Sequence, residues 1–311
     1  MSSGIKVFAP ASVSNVGCGF DIFGFALNEP GDEIVAKHSD KPGLTISEII
    51  GAKGKLPFEI EKNTATVAAK AMLDELGIYD QVAIDFKIIK KMPFESGLGS
   101  SAASAVAGVM AVNELLKRPL EKRDLLPFAM KGEQAADKSW HADNVAPSLL
   151  GGFIIIRDNE SLDVHRIPTP PGLMAVVVKP NVSISTLESR QALDQTVALS
   201  NHIRQSGNAA ALVHAMYRGD FDLLSRSLQD LIIEPQRKDT IPFYEAVKAS
   251  AYDQGCLGFN ISGAGSSVFA LCASSGIADK VSSAITNTWL ENGIESKSWI
   301  SSINHEGAMK M

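Results

Sequence analysis

The chain has 311 residues, of which 45% are hydrophobic and 21% are charged, and its formal net charge is −6. This apolar content is sufficient for a core in one large domain or in two ordinary ones. A negatively charged chain without a dominant basic patch argues against nucleic acid as a partner. The longest apolar run, residues 102–112, is too short and too rich in alanine to cross a membrane.

The cysteines and the first residues of the chain predict its compartment. Cys18, Cys256 and Cys272 are odd in number and lie in apolar surroundings, which is typical of a reducing cytosol and not of a disulfide framework. Their spacings do not indicate a zinc site. A strand-like pattern begins at Ile5, so we expect no signal peptide and a cytoplasmic protein.

The first half of the chain predicts a mixture of strands and helices. Strands are predicted over residues 5–9, over 33–37 and 44–49 as parts of a meander, over 82–90, and over 149–156. Helices are predicted over residues 64–76, from a glycine-rich turn to about residue 116, and over 120–136. Residues 10–21 predict a loop, residues 22–27 fit either a helix or a strand, and residues 140–147 form a polar cluster.

The second half begins after a polar, proline-bearing segment, residues 157–172, which we interpret as a linker. The predicted domains are therefore residues 1–160 and 161–311. Strands are predicted over residues 173–178, 268–272 and 295–300. Helices are predicted over residues 186–199, 209–218, 221–231, 241–252 and 277–292.

Residues 93–104 carry the clearest functional pattern. A strand, a turn with Gly97 and Gly99, and a helix N-terminus follow one another, and together they make a site for an anion. A Rossmann site is disfavoured because the preceding strand alternates, the turn lies about ninety residues into the chain, and no acidic residue ends a following strand. No Lys-Ser/Thr pair closes a Walker loop, and a plain strand–helix turn remains the alternative.

Three glycine–hydroxyl loops occur in the chain, each between apolar runs. They lie near Gly17 and Gly19, near Gly97 and Gly99, and near Gly263 and Gly265. One such loop is common, but three, with scattered acids and arginines, indicate a phosphate-handling cleft between two α+β halves.

At these loops the chain resembles the GHMP small-molecule kinases. Residues 10–21, with Pro10, Ala11, Asn15, Gly17, Gly19, Phe20 and Asp21, are similar to the family's first motif, residues 96–103 to its nucleotide loop, and residues 262–265 to its third motif. The box 141–147, together with Asn15 and Asp21, resembles the homoserine kinase family within this superfamily. The resemblance spans nearly the whole chain.

The resemblance implies a fold and an activity. The fold would be α+β, with an N-terminal domain like ribosomal protein S5 domain 2 and a ferredoxin-like C-terminal domain. The activity would be ATP-dependent phosphorylation of the L-homoserine side-chain hydroxyl to O-phospho-L-homoserine, a step of threonine biosynthesis. ATP and Mg²⁺ would be the cofactors, and the family implies a homodimer.

The same resemblance implies roles for individual residues. The nucleotide would be bound by Pro93, Ser96, Gly97, Leu98, Gly99, Ser100, Ser101, Ala102, Ala103 and Ser104. Mg²⁺ would be bound by Ser101 and Glu133. Homoserine would be bound by Asn15, Asp21, His141, Arg190, Arg237 and Gly263, with the two arginines on its carboxylate.

Each role has a structural alternative. Ser101 and Thr186 could be helix N-caps, Glu133 a solvated helix residue, and Asp21 a turn residue. Each arginine could instead pair with a nearby acid, and His141 could be a packed structural residue.

The catalytic base stays open in the sequence. Many GHMP relatives use an aspartate base in the segment that Asp143 and Asn144 resemble. The resemblance to the homoserine branch implies instead that no dedicated base is required, because the transition state of phosphoryl transfer is loose. Thr186 matches a family position close to the reacting hydroxyl. The competing functions are another GHMP kinase acting on mevalonate, a sugar or an isoprenoid precursor, a non-catalytic nucleotide-binding or regulatory module, and, remotely, a Rossmann oxidoreductase.

Overall fold

The computed structural model describes residues 4–137, 140–184, 186–191 and 193–311, without the side chains of Asp137 and of residues 186–188. Within these ranges the strands are Ile5–Val16 (β1), Gly19–His38 (β2), Gly43–Ile50 (β3), Ala83–Ile89 (β4), Phe153–Asp158 (β5), Asp163–Ile167 (β6), Met174–Pro180 (β7), Gly258–Ile261 (β8), Val268–Cys272 (β9), Ser296–Ser302 (β10) and Met309–Lys310 (β11). The helices are Thr64–Glu75 (α1), Ser100–Leu115 (α2), Leu126–Asp137 (α3), Ala142–Leu150 (α4), Thr186–Gln191 (α5), Leu199–Arg218 (α6), Phe221–Ser227 (α7), Glu234–Arg237 (α8), Tyr244–Asp253 (α9) and Ser275–Glu291 (α10).

The first sheet is built on the long hairpin of β1 and β2. Its strand order is β11-β1-β2-β4-β3, and β5 pairs with β2 and with β6. The far half of β2 pairs with β4, and its near half, around Gly24, pairs with β5. Along the edge away from β1, β2 thus pairs with two strands in succession, and the loop that follows β4 lies beside Ser12 of β1.

The second sheet has the order β10-β7-β9-β8, and its neighbouring strands are antiparallel. Helices α9 and α10 cover it, and Trp289 of α10 is fully buried in the core between them. The two sheets carry helices on an α+β plan, which confirms the predicted fold class.

Small residues explain how closely the helices pack on the first sheet. Helix α2 is buried from Ala102 to Asn113. A Cβ on Gly108 would lie 2.3 Å from the carbonyl oxygen of Ala65 in α1, and one on Gly132 of α3 would lie 2.6 Å from that of Thr64. Since side chains at these positions would force the helices apart, the alanine- and glycine-rich run of α2 serves tight helix packing.

Several predicted elements are wrong in extent. Residues 10–16, predicted as a loop, continue β1, because pairing with β2 across two bulges supplies the partners of their main-chain groups. Strand β3 does not join a meander: it runs parallel to β4, and α1 forms part of the crossover between them.

The predicted linker and two predicted helices also differ from the structure. The linker, residues 157–172, contains β6, which is paired with β5 in the first sheet. The helix predicted over 186–199 ends at Gln191, and the one predicted from residue 209 begins ten residues earlier, at Leu199. The chain returns to the first sheet through β11. The domain division after residue 160 stays a prediction. Among the described residues, no helix has the length and apolar character needed to cross a membrane.

Candidate active site

The glycine loop between β4 and α2 lies between Ser12 of β1 and the glycine loop near Gly263 and Gly265. Gly97 and Gly99 have φ of 72° and 63°, a backbone conformation that glycine adopts readily. A Cβ on Gly97 would lie 2.2 Å from the carbonyl oxygen of Ser262, and one on Gly99 would lie 2.3 Å from Oγ of Ser12. Both glycines are therefore required by close contact as well as by conformation.

Hydrogen bonds to the loop carbonyls fix its orientation. The main-chain N–H of Ser12 donates to the carbonyl of Leu98 at 3.1 Å, and Oγ of Ser262 donates to the carbonyl of Gly97 at 2.6 Å. The first N–H groups of α2 have no carbonyl partner within the helix. The loop thus turns its carbonyls to the protein and offers the positive end of α2 to an anion.

A cavity of about 400 Å³ lies at this helix end. Residues 96–101 and Ser104 line it, together with Glu133 and Asn144. Three residues predicted to bind the nucleotide do not line it: Pro93 lines a neighbouring cavity, and Ala102 and Ala103 are fully buried in the core. The predicted nucleotide loop is otherwise assembled around one space.

Ser101 and Glu133 meet at the wall of this cavity. Oγ of Ser101 donates to Oε1 of Glu133 at 2.8 Å, and Glu133 is buried. Helix α2 begins with Gly99 as its N-cap, so Ser101 is not the capping residue. The hydroxyl and the carboxylate next to this cavity are the kind of oxygen donors that Mg²⁺ takes together with phosphate oxygens.

A buried lysine beneath the start of α2 was missed by the sequence analysis. Nζ of Lys90 contacts the carboxylate of Asp32, and it donates to Oγ and the carbonyl of Ser100 at 2.6 and 2.9 Å and to Oγ of Ser104 at 2.8 Å. The Lys90 and Asp32 side chains are 2% and 0% exposed. A lysine at the end of an alternating apolar strand was the available signal, but its partner lies 58 residues away on β2.

Asn144 ties helix α4 to strand β1. Its Oδ1 accepts from Oγ of Ser12 at 2.9 Å, and its Nδ2 donates to Oγ of Ser14 at 3.0 Å. Because Ser12 also holds the carbonyl of Leu98, Asn144 supports the glycine loop through a second hydrogen bond.

The second part of the site surrounds Asp21. Nη1 of Arg190 donates to Oδ1 of Asp21 at 3.3 Å, Nη2 contacts Oδ2, and Nδ1 of His141 lies 3.5 Å from Oδ2. Asp21 and Asn15 both have φ of 60°, a conformation that Asp and Asn tolerate better than most residues. The N–H of Asp21 donates to Oδ1 of Asn15 at 2.9 Å. Asp21 therefore has a structural role in the turn and also contacts Arg190 and His141 through its side chain.

Arg237 approaches from α8. It is 4% exposed, and its Nη1 donates to the carbonyl of Gly263 at 3.2 Å. Asn15 donates to the same carbonyl at 3.1 Å. Burial, and then the neighbouring Arg190, lower the pKa of Arg237. Gly263 also lines the cavity at the glycine loop, so it joins the two parts of the site.

Phe20 was named in the first motif but was not predicted to have a role. The guanidinium carbons of Arg190 and Arg237 lie 5.2 and 5.1 Å from its ring centroid, within the range of cation–π attraction. One ring thus helps to hold two like charges near each other, which neither arginine's position in the sequence indicates.

Asp143 lies at the start of α4 and is buried. Burial, and then the negative charge of Asp21, raise its pKa to about 7. A positive charge on Arg190 and a hydrogen bond to Ser14 act in the opposite direction. The carboxyl group can therefore take or release a proton near neutral pH.

Thr186 begins α5, one turn before Arg190, but its side chain lies outside the described part of the structure. The residues predicted to bind the acceptor form one connected group: Asn15, Asp21, His141, Arg190, Arg237 and Gly263.

Comparisons with known proteins match this architecture. The model of the GHMP kinases N terminal domain matches residues 63–152, and that of the GHMP kinases C terminal domain matches residues 212–291. A homoserine kinase of Chloroherpeton thalassium is 42% identical over 310 residues, which cover 97% of both chains. A homoserine kinase of Chlorobaculum tepidum is 41% identical, over 97% of this chain and 96% of that one.

Solved structures agree with the sequence relatives. The crystal structure of homoserine kinase from Cytophaga hutchinsonii superposes with a TM-score of 0.97 and 46% identity, over 100% of this chain and 98% of that one. An L. major mevalonate kinase in complex with R-mevalonate has a TM-score of 0.72 at 17% identity, over 96% of both chains. The latter shows the shared fold alone.

Proposed function

The chain belongs to the homoserine kinase family of the GHMP kinases, and we propose that it transfers the γ-phosphoryl group of ATP to the side-chain hydroxyl of L-homoserine. The product is O-phospho-L-homoserine, which places the reaction in threonine biosynthesis. The observation that carries the proposal is the meeting of one carboxylate and two guanidinium groups, those of Asp21, Arg190 and Arg237, beside a glycine loop built for phosphate.

The charged group suits a zwitterionic acceptor. Asp21 holds the ammonium of homoserine, and Arg190 and Arg237 hold its carboxylate, which a guanidinium can bind through two parallel hydrogen bonds. In the structure Arg190 is bonded to Asp21. When homoserine binds, its ammonium pairs with Asp21 and its carboxylate pairs with Arg190. These two ion pairs replace the one between Arg190 and Asp21, so each charge keeps a partner of opposite sign. Asn15 and His141 both lie next to Asp21.

The nucleotide loop holds the triphosphate of ATP. Residues 96–101 and Ser104 surround the phosphates, and the N-terminus of α2 supplies main-chain N–H groups and a favourable dipole. Ser101 and Glu133 fit Mg²⁺, because a hydroxyl and one carboxylate with phosphate oxygens are a common ligand set for this ion. When bound, Mg²⁺ neutralises charge on the phosphates.

Transfer itself depends on positioning. In a loose transition state the hydroxyl needs little activation, and the protein's main contributions are alignment and charge compensation. Asp143, whose pKa burial and the charge of Asp21 raise to about 7, is the candidate acceptor of the hydroxyl proton as the new ester bond forms. Asn144 supports the glycine loop through Ser12, and Thr186 matches a family position close to the reacting hydroxyl. The two-domain division after residue 160, the homodimer and the cytoplasmic location belong to the same proposal.

An acceptor panel tests the proposal. The purified protein is given ATP and Mg²⁺ with homoserine, mevalonate, galactose or an isoprenoid precursor, and release of ADP is measured with each. We expect turnover with homoserine, at least about a hundredfold above the others, because a site that binds charged groups rejects acceptors lacking them. Turnover with another acceptor and none with homoserine would overturn the proposal.

A further inference from the structure

A second, larger cavity lies next to the nucleotide loop. Its volume is about 580 Å³, and it opens between the segment that follows β3 and strands β7 and β10 of the second sheet. Lys53 and Lys55 line it from the first of these, and Lys179 and Lys297 from the second. The cavity therefore lies between the two sheets and collects side chains from both.

The charge of this cavity is opposite to that of the chain. Four lysines and only one acidic residue, Glu295, line the cavity, whereas the whole chain has a net charge of −6. Within the described residues none of the four lysines forms a salt bridge. Like charges gathered around a concave surface repel one another and attract a counter-ion. This concentration is thus unfavourable without a ligand and favourable with an anionic one.

Three of the ammonium groups are held in place. Nζ of Lys55 lies 5.6 Å from the ring centroid of Phe94, and Nζ of Lys297 lies 5.0 Å from that of Trp299. Nζ of Lys179 donates to the carbonyls of Pro180 and Val182 at 2.7 and 2.5 Å. A lysine that is already positioned loses less side-chain entropy when it binds a ligand, so the cavity is partly organised in advance.

Phe94 separates this cavity from the nucleotide site. It lines both spaces, and Nζ of Lys90, which lines the nucleotide cavity, lies 5.9 Å from the centroid of the same ring. An anion among the four lysines and a nucleotide in the first cavity would therefore lie on opposite sides of the Phe94 ring.

We propose that the cavity lined by Lys53, Lys55, Lys179 and Lys297 is a second anion site, which binds a small molecule carrying two or more phosphate groups while the nucleotide is bound. Lysine provides a compact point charge with three donors, and several of them suit a multiply charged phosphate. The proposal does not depend on homoserine being the acceptor, because it uses none of the residues that surround Asp21.

Titration calorimetry with inorganic pyrophosphate tests the proposal. The protein is first held at a saturating concentration of a non-hydrolysable ATP analogue in metal-free buffer, so that the nucleotide loop is filled. We expect pyrophosphate to bind this complex with a stoichiometry of about one. The Lys53→Glu/Lys297→Glu double variant should bind it at least about tenfold more weakly, because two attractive charges become repulsive.

The matched control is the Lys41→Glu/Lys62→Glu double variant. Both of its lysines are exposed and line neither cavity, and the change in net charge is the same. We expect this control to bind pyrophosphate as the unaltered protein does, and thermal melts of both variants verify that they are folded. The proposal is overturned if pyrophosphate does not bind the nucleotide-saturated protein, or if the control loses as much affinity as the cavity variant.

Discussion

Arg190 and Asp21 are joined by a two-point ion pair across 169 residues of sequence, with Nη1 of the arginine 3.3 Å from Oδ1 of the aspartate. Phe20 lies against the guanidinium of this arginine and against that of Arg237. The pair thus places α5 of the second half of the chain next to the start of β2. A negative and a positive side chain, both of which a zwitterion requires, then lie side by side.

Asp21→Asn should weaken the binding of homoserine much more than that of ATP. The substitution keeps the size of the side chain but removes the charge that faces the ammonium and Arg190. A charge-assisted hydrogen bond contributes about 1.5–3 kcal/mol, so KM for homoserine should rise roughly ten- to a hundredfold. Steady-state kinetics with each substrate varied in turn measure this, and an equal rise in both KM values would contradict the assignment.

Ser101→Ala and Glu133→Gln should each reduce kcat strongly while the protein stays folded. Their side chains form one hydrogen bond at the wall of the nucleotide cavity and are the proposed Mg²⁺ ligands. We expect a loss of about a hundredfold or more in kcat at limiting Mg²⁺, because removing charge stabilisation of the transition state costs this much in comparable sites. Ser283→Ala, on an exposed face of α10, is the control. Unchanged activity in both site variants at limiting Mg²⁺ would remove them from the metal site.

Gly97→Ala should destabilise the protein and impair nucleotide binding, whereas Gly54→Ala should have a smaller effect. Both glycines have positive φ, 72° and 76°, so alanine is strained at each by about 1–2 kcal/mol. Only at Gly97 would the new Cβ also lie 2.2 Å from a carbonyl oxygen, while nothing lies within 4 Å at Gly54. Chemical unfolding and nucleotide titration compare the two, and similar results for both would mean that the loop is not clamped by Ser262.

The free energy of unfolding should depend on pH through Asp143. Its pKa is raised from an ordinary value of 3.8 to about 7. Between these values the folded protein binds more protons than the unfolded chain, so this group's contribution to stability falls as pH rises from about 4 to about 7. Asp143→Asn should remove that dependence. Compared with the unaltered protein, the variant should therefore be more stable at pH 8 than it is at pH 5.

Urea unfolding of both proteins at the two pH values measures this difference. Asp163→Asn serves as the control, because Asp163 is only partly buried and its pKa is lowered by Arg157, so its carboxylate stays ionised at both pH values. If the difference between Asp143→Asn and the unaltered protein is the same at pH 5 and pH 8, the carboxyl group of Asp143 does not have a raised pKa.

Local patterns in the sequence predicted the elements whose hydrogen bonds and spacing are local. The amphipathic repeat that ends at Gly77 corresponds to α1, and strand β9 has the predicted bounds. The predicted loop over residues 10–21 was wrong because its proline, serine and glycine residues are tolerated in a bulged hairpin once β2 lies beside it. The parallel partner of β3 was likewise missed, because pairing across a helical crossover leaves no signal within the strand.

The sequence by itself determined the glycine loop, the small-residue helix behind it and the identity of most residues around Asp21, because φ preferences, helix spacing and motif spacing are properties of short segments. Only the tertiary structure decided which charges meet. Four features depend on segments that are far apart in the chain. They are the Lys90–Asp32 pair, the contact of the Phe20 ring with two arginines, the raised pKa of Asp143 and the lysine-lined cavity. Burial and distance set the energy of a charge, and both exist only after the sheets and helices have packed.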